Sequence, residues 1–143
     1  MVRGVLFDVN IEGHQAYLMN LLAALDMSDI WQKYNFRTFT VSEFGYPKAV
    51  RDRVIWNRCQ VERLILFTEN RNDDGGDSLE RTMADSLGPD SLPVITLSNK
   101  GRFEHDRRYA LIVAGQFLEK LVDTAEGMHR GVGRIYLPSR AIT

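Results

Sequence analysis

Residues 64–68 read LILFT, an apolar run of four residues that ends in a threonine. Two other runs share this character, VLF at 5–7 and PVITL at 93–97. Nearly continuous apolar runs of this length are typical of strands that are buried on both faces, as in a parallel sheet. The three runs therefore predict the centre of a parallel sheet that is covered by helices on both sides.

Further strand and helix patterns extend outward from these runs. The predicted strands are Val5–Asp8, Arg37–Val41, Leu64–Thr68, Val94–Ser98 and Arg134–Leu137. The predicted helices are His14–Asp26, one that opens at Pro47, Ser78–Leu87 and Phe103–Glu126. Alternating strands and helices predict an α/β three-layer sandwich around a mostly parallel sheet of about five strands, with right-handed crossovers.

Length and composition fit one soluble domain, which we assign to residues 1–143. Cys59 is the only cysteine, which excludes an intrachain disulfide and favours a reducing compartment, the cytoplasm. No apolar run approaches the roughly 20 residues that span a bilayer. The first ten residues do not read as a signal peptide, and we expect no membrane partner.

The net charge of −1 is unevenly distributed along the chain. Residues 1–99 carry 10 basic and 14 acidic side chains, whereas residues 100–143 carry 8 and 5. The stretch 69–90 has seven acids and two bases. An acidic pocket beside a basic segment suits a metal site that faces a polyanion, although a solvated acidic loop has the same composition.

Polar side chains follow the predicted strands at the edge where α/β sheets bind ligands. Asp8 and Asn10 come after the first strand, and Thr68 ends the third. A carboxylate at the end of a buried strand is costly unless it is hydrogen-bonded or neutralised by a cation. Asp8 is therefore a candidate hard-metal ligand or general base, with a helix-capping role as the alternative.

The segment TENRNDDGGD at 68–77 combines a strand end with amide and acid oxygens and two glycines. Asn70 and Asn72 are candidates for orienting a metal-bound water, and Arg71 for contacting a phosphate. The spacing of Asp77 and Glu80 is that of a capping box, with Asp77 as the N-cap. An irregular acidic turn is the alternative interpretation of this segment.

Asp52 lies in RDRVIW at 51–56, inside a predicted helix. Its neighbours Arg51 and Arg53 could hold it in weak surface pairs. Alternatively, Arg53 and Trp56 form a phosphate-binding and base-stacking surface. Trp31, Trp56 and Cys59 are more typical of core residues than of ligand contacts.

These motifs together resemble the PIN-like nuclease superfamily, and more closely a small group of bacterial PIN-like proteins of uncertain function. The matching stretches are FDVNIEGH at 7–14, DRVIWNRCQ at 52–60, TENRNDDGGDSLERT at 68–82, SLPVITLS at 91–98, RRYA at 107–110 and GRIYLP at 133–138. The resemblance implies acidic residues that converge at the carboxyl ends of a parallel sheet. There they bind Mg²⁺ or Mn²⁺ and hydrolyse RNA phosphodiesters.

The resemblance also implies roles for individual residues. Asp8, Asp52 and Asp77 match the metal-binding and catalytic acids. The supporting residues are Asn10, Asn70, Asn72 and Glu80, and Arg53 and Arg71 are the expected contacts to nucleic acid. The implied partners are single-stranded RNA, an antitoxin protein and a second copy of the chain.

Two departures from the family pattern leave other functions open. Asn10 stands where the family has an acid, and Thr68-Glu69-Asn70 stands where it has T-x-D. Fewer ligand charges would suit a catalytically inactive PIN-like domain that binds RNA or protein. VLFDVN also approaches the first motif of haloacid-dehalogenase-like phosphatases, but Asp73-Asp74 precedes Lys100, the reverse of the phosphatase order. Hydrolysis of an aryl phosphate distinguishes these enzymes.

Overall fold

A five-stranded sheet forms the centre of the computed structural model, which describes residues 1–69 and 78–139. Its strands are β1 (Gly4–Phe7), β2 (Arg37–Thr40), β3 (Leu64–Glu69), β4 (Val94–Leu97) and β5 (Arg134–Leu137). The ends of these strands lie within one residue of the predicted ends. The apolar runs therefore locate the strands correctly.

The strands lie in the order β2-β1-β3-β4-β5, and every neighbouring pair in this order is parallel. The predicted α/β fold with a parallel sheet of about five strands is confirmed. β1 lies between β2 and β3. The chain therefore passes from β1 to β2 in one direction along the sheet and from β2 to β3 in the opposite direction. Such a reversal of direction opens a crevice at the carboxyl ends of the strands.

Helices cover both faces of this sheet. The α-helices of the described residues are α1 (Gln15–Ala24), α2 (Ser28–Lys33), α3 (Asp52–Glu62), α4 (Leu79–Ser86), α5 (Lys100–His105) and α6 (Arg107–Ala125). Two 3-10 helices, Val9–His14 and Val41–Phe44, follow β1 and β2.

Each face of the sheet has its own apolar core. The face covered by α1, α2, α5 and α6, here called the α6 face, carries Phe7 and Phe67. The opposite face, here called the α3 face, is covered by α3 and α4 and carries Leu6 and Leu66. Side chains of a strand alternate between faces, so the residue after Phe7 belongs to the α3 face. The three-layer arrangement is as predicted.

The helix that was predicted to open at Pro47 begins five residues later, at Asp52. The 3-10 helix Val41–Phe44 ends at Gly45, whose φ of +80° turns the chain. Pro47 then lies in a turn in which its carbonyl accepts a hydrogen bond from the Val50 N–H at 3.1 Å. Proline suits a turn as well as a first helical turn, and this chain uses it in the turn.

The single helix predicted over Phe103–Glu126 is two helices. The break is at Asp106, whose backbone is extended and whose Oδ1 accepts a hydrogen bond from the Tyr109 N–H at 3.1 Å. That backbone contact lowers the pKa of the Asp106 carboxyl below its ordinary value. Asp106 thus ends α5 and caps the amino end of α6.

The N-cap of α4 is Ser78, whose Oγ accepts a hydrogen bond from the Arg81 N–H at 3.2 Å. The predicted capping box between Asp77 and Glu80 is therefore wrong by one residue. Glu80 occupies the second helical position rather than the third. Asp77 itself lies outside the described residues.

The connections between strands do not all have the same hand. The chain passes from β1 to β2 over the α6 face, and from β2 to β3 and from β3 to β4 in the opposite direction over the α3 face. These three connections share one hand. The connection from β4 to β5 keeps that direction but runs over the α6 face, so its hand is reversed. The expectation of uniformly right-handed crossovers is wrong for this fold.

Trp31, Trp56 and Cys59 are buried, as expected for core residues. The longest of the described helices is α6, with 19 residues. None of the helices in the described ranges has both the length and the apolar character needed to cross a bilayer.

Candidate functional site

Asp8 is the first residue after β1, and its carboxylate is held at two points. Its Oδ1 accepts a hydrogen bond from the Val9 N–H at 2.8 Å, and its Oδ2 accepts one from the Thr68 hydroxyl at 2.8 Å. The residue is only 6% exposed. Both contacts fix the orientation of the carboxylate at the carboxyl end of the central strands.

The charge of Asp8 reaches the core of the α3 face. Burial raises the pKa of the Cys59 thiol well above its ordinary value, and the negative charge of Asp8 raises it further. Cys59 lies on α3, so Asp8 and this helix share one face of the sheet. Because the thiolate is the reactive form of cysteine, Cys59 has a structural role.

A row of polar residues crosses the α3 face from Asp8 to the edge of the sheet. Thr68 pairs in register with Thr96, and Thr96 pairs with Tyr136. The hydrogen bond between Thr68 and Asp8 continues the row onto β1. We call these four residues, Asp8, Thr68, Thr96 and Tyr136, the polar row.

Asp52 is the first residue of α3, and its Oδ2 accepts a hydrogen bond from the Leu79 N–H at 3.2 Å. Leu79 is the first residue of α4. The carboxylate therefore lies at the amino ends of two helices, where the helix dipoles stabilise negative charge. Asp52 is predicted inside a helix, and the structure moves it to the first turn.

The two described ends that flank residues 70–77 lie next to one candidate acid each. Thr68, which binds Asp8, is followed by Glu69 at the end of β3, and Ser78 precedes Leu79, whose N–H Asp52 binds. The remaining predicted site residues of this segment lie outside the described residues. They are Asn70, Arg71, Asn72 and Asp77.

The other predicted residues that the structure describes have different contacts. Asn10 is half-buried in the 3-10 helix that follows β1. Arg53 places its Nη2 3.4 Å from Asp85 Oδ2, in a surface pair of the kind that contributes about 0–1 kcal/mol. Glu80 forms an ion pair with Arg134 of β5. Its carboxylate is therefore directed toward β5.

Sequence analysis missed two groups at this end of the sheet. Thr68 was identified only as a polar strand end, because its contact with Asp8 depends on the register between two distant strands. Glu12 was not singled out, although it lies four residues beyond Asp8. Its Oε2 is buried, and no hydrogen-bond partner for that atom is found among the described residues. A buried carboxylate oxygen without a donor is costly.

Basic side chains gather at the same end of the sheet. α5 begins three residues after β4 ends, and α6 follows after one further residue, before the chain returns to the start of β5. The basic residues at the beginning of these two helices are Lys100, Arg102, Arg107 and Arg108. Positive charge therefore lies at the end of the sheet where Asp8 lies.

The donor types that Asp8 and Asp52 supply suit a hard divalent cation. Asp8 and Asp52 supply carboxylate oxygens, and Mg²⁺ takes one or two carboxylates while it keeps several waters. Within residues 1–69 and 78–139, no group of three or more His, Cys, Asp or Glu side chains has a metal-binding arrangement. The expected third ligand, Asp77, is outside these ranges.

Comparison of the chain with protein-family models, with curated proteins and with solved structures gives no match. The fold and the site together define an α/β protein with a buried carboxylate at the carboxyl end of its central strands. The assignment of a function therefore depends on this geometry and on the motifs of the sequence.

Proposed function

We propose that the protein is a metal-dependent ribonuclease of the PIN-like superfamily. The observation that carries the proposal is the position of Asp8. Its carboxylate is fixed by Val9 and Thr68 at the carboxyl end of β1, where the sheet changes direction. Ligand sites of open α/β sheets form at this point.

The chain's own residues have distinct tasks in this proposal. Asp8 anchors the cation, and Asp52 adds a second carboxylate whose orientation is set by the amino end of α4. Asp77 completes the ligands. Bound Mg²⁺ or Mn²⁺ neutralises charge on the phosphodiester and lowers the pKa of a water.

The distribution of basic residues supports a polyanionic substrate. Lys100, Arg102, Arg107 and Arg108 begin the two helices that follow β4. Arg102 lies 4.7 Å from the ring centroid of Tyr109, and its Nε is 3.3 Å from Asp106 Oδ2. Phosphates of a nucleic acid that crosses the carboxyl ends of the strands would meet these side chains.

Cleavage of labelled single-stranded RNA tests the proposal. We expect cleavage with Mn²⁺ or Mg²⁺, and we expect EDTA or Asp8→Asn to abolish it. Asp29→Asn is the matched control, because Asp29 is an exposed acid of α2 on the α6 face and its loss leaves the site intact.

The outcomes separate the competing functions. RNA binding that is indifferent to EDTA and to Asp8→Asn, without cleavage, would replace the nuclease by an inactive RNA-binding domain. Hydrolysis of an aryl phosphate with intact RNA would favour the phosphatase. Cleavage that survives Asp8→Asn would contradict the assignment of the site.

A further inference from the structure

Tyr136 lies at the outer end of the polar row, on the open side of the sheet. It belongs to β5 and pairs with Thr96, which pairs with Thr68. Neighbouring strands lie about 4.8 Å apart, so Tyr136 is about 14 Å from Asp8 along the row. The exposed end and the buried carboxylate are therefore joined by one face of the sheet.

The reversed connection between β4 and β5 explains the exposure of Tyr136. Because α5 and α6 cover the α6 face, α4 is the last described helix on the α3 face. Thr96 is fully buried, whereas Tyr136 is 46% exposed. The Tyr136 ring is therefore exposed at the outer end of the polar row.

The guanidinium of Arg134 lies beside the ring of Tyr136. Arg134 precedes Tyr136 by two residues, so it lies on the same face, and its guanidinium is 5.7 Å from the ring centroid. The guanidinium is held by the Thr96 hydroxyl and by Glu80. The Arg134 side chain is only 15% exposed. One side of the tyrosine ring is therefore backed by a cation with a fixed position.

The surroundings of Tyr136 favour a nucleobase over an apolar protein surface. Among the described residues, Tyr136 pairs with Thr96 on the neighbouring strand, and Arg134 lies beside it on the same face. Both of these neighbours are polar. Bases stack on single aromatic rings, and a guanidinium next to the ring adds to the attraction. The basic residues that begin α5 and α6 lie at the same end of the sheet and suit the phosphates.

We propose that Tyr136, backed by Arg134, stacks on one base of a single-stranded RNA whose backbone crosses the carboxyl ends of the strands toward Asp8. This inference rests on the proposed function, because it identifies how that site takes its substrate. A base that is paired in a duplex cannot lie flat on the ring, so the contact requires an unpaired base. Tyr136 binds substrate in this account and takes no part in the hydrolysis.

Fluorescence anisotropy with a labelled single-stranded RNA of about 12 nucleotides tests whether Tyr136 binds a base. Ca²⁺ replaces Mg²⁺ and Mn²⁺ in this assay, and cleavage is measured separately with Mn²⁺. Tyr136→Ala should weaken binding by about 5- to 150-fold, the range measured for loss of one stacking residue. Tyr136→Phe keeps the ring and should bind as the wild type does.

Val132→Ala is the matched control, because Val132 is an exposed residue just before β5, at the other end of the strand. It should leave binding unchanged. A duplex of the same sequence should be insensitive to Tyr136→Ala. Circular dichroism of each variant verifies the fold. If the alanine variant unfolds, Tyr136→Leu takes its place, because it keeps an apolar side chain without an aromatic ring and should weaken binding in the same way.

The results distinguish the two proposals. RNA binding and cleavage that are both unaffected by Tyr136→Ala would contradict base stacking on Tyr136 but not the ribonuclease activity. Binding that depends on Tyr136 without cleavage in Mn²⁺ would contradict the ribonuclease activity but not the stacking. A wild-type protein that binds no RNA would overturn both.

Discussion

Two rows of residues cross the sheet one position apart along the strands, on opposite faces. One row is apolar and the other is polar. The row on the α6 face is apolar and consists of Phe7, Phe67, Ile95 and Ile135. The next row is the polar row on the α3 face. The apolar row holds the fold together, whereas the polar row places a carboxylate where burial is costly. The candidate site therefore lies on the less stabilising of the two rows.

The largest effect on stability should come from the apolar row. Phe67 is 1% exposed, and its ring centroid is 4.9 Å from that of Phe117 and 5.5 Å from that of Phe7. Phe67→Ala should lower the free energy of unfolding by about 3–5 kcal/mol, measured by urea denaturation. Val61→Ala, at a residue that is 76% exposed, is the control. A loss below about 1 kcal/mol would show that this row is not close-packed.

A smaller loss should follow from the polar row. Thr68→Val removes the hydroxyl that donates to Asp8 and leaves Oδ2 without that donor. The expected loss in the free energy of unfolding is about 1.5–3 kcal/mol, the range for a hydrogen bond to a charged group.

Thr82→Val is the matched control, because the buried Thr82 hydroxyl donates to the neutral carbonyl of Ser78 at 2.9 Å. Its expected loss is about 0.5–1.5 kcal/mol. The excess for Thr68→Val should disappear in the Asp8→Asn background. Equal losses for the two valine variants in the wild-type background would argue against a charged Asp8.

The helix cap beside the site should contribute about 1 kcal/mol. Ser78→Ala removes the side-chain oxygen that accepts from the Arg81 N–H. Asp77→Ala should cost less, because Ser78 rather than Asp77 is the N-cap. Thermal unfolding of the two variants gives the comparison, and the reverse order would restore the capping box predicted from the sequence.

The smallest effect on stability should come from Asp8→Asn, at the residue with the largest effect on activity. The amide oxygen can still accept from the Val9 N–H, and the amide nitrogen can donate to the Thr68 hydroxyl oxygen. The Thr68 hydroxyl has a second acceptor, the Glu69 carbonyl at 3.4 Å. The free energy of unfolding should change less than it does for Thr68→Val, because both hydrogen-bond positions stay occupied and the cost of burying a charge is removed. A loss like that of Phe67→Ala would mean that Asp8 serves the fold.

The strands could be predicted from the sequence because each has a strong local signal. LILF is apolar throughout and PVITL is nearly so, and such short runs are typical of strands that are buried on both faces. The position of Asp8 at a strand end follows directly, since it comes one residue after the apolar run.

Helix boundaries depend on choices that the local sequence leaves open. Asp77 and Ser78 are both good N-cap residues, and the contact between Asp52 and Leu79, far apart in sequence, accompanies the choice of Ser78. Asp106 lies within an otherwise helical pattern, and its capping contact to Tyr109 breaks that pattern. Local propensity cannot rank such alternatives.

The composition of the polar row was beyond sequence analysis for a different reason. Thr68, Thr96 and Tyr136 lie on three strands, and only the register between them makes them neighbours. The exposure of Tyr136 depends further on the reversed connection through α5 and α6. The register and the exposure both depend on contacts between distant parts of the chain, so no local stretch of sequence predicts them.

Binding of Mn²⁺, followed by electron paramagnetic resonance of the free ion, tests the account most directly. The wild type and Asp29→Asn should bind Mn²⁺ equally, and Asp8→Asn should lose at least about tenfold in affinity, as expected for a ligand that a divalent cation requires. The measurement is independent of any RNA substrate. A wild type that binds no Mn²⁺, or an Asp8→Asn variant that binds it as tightly, would contradict the metal site and the nuclease together.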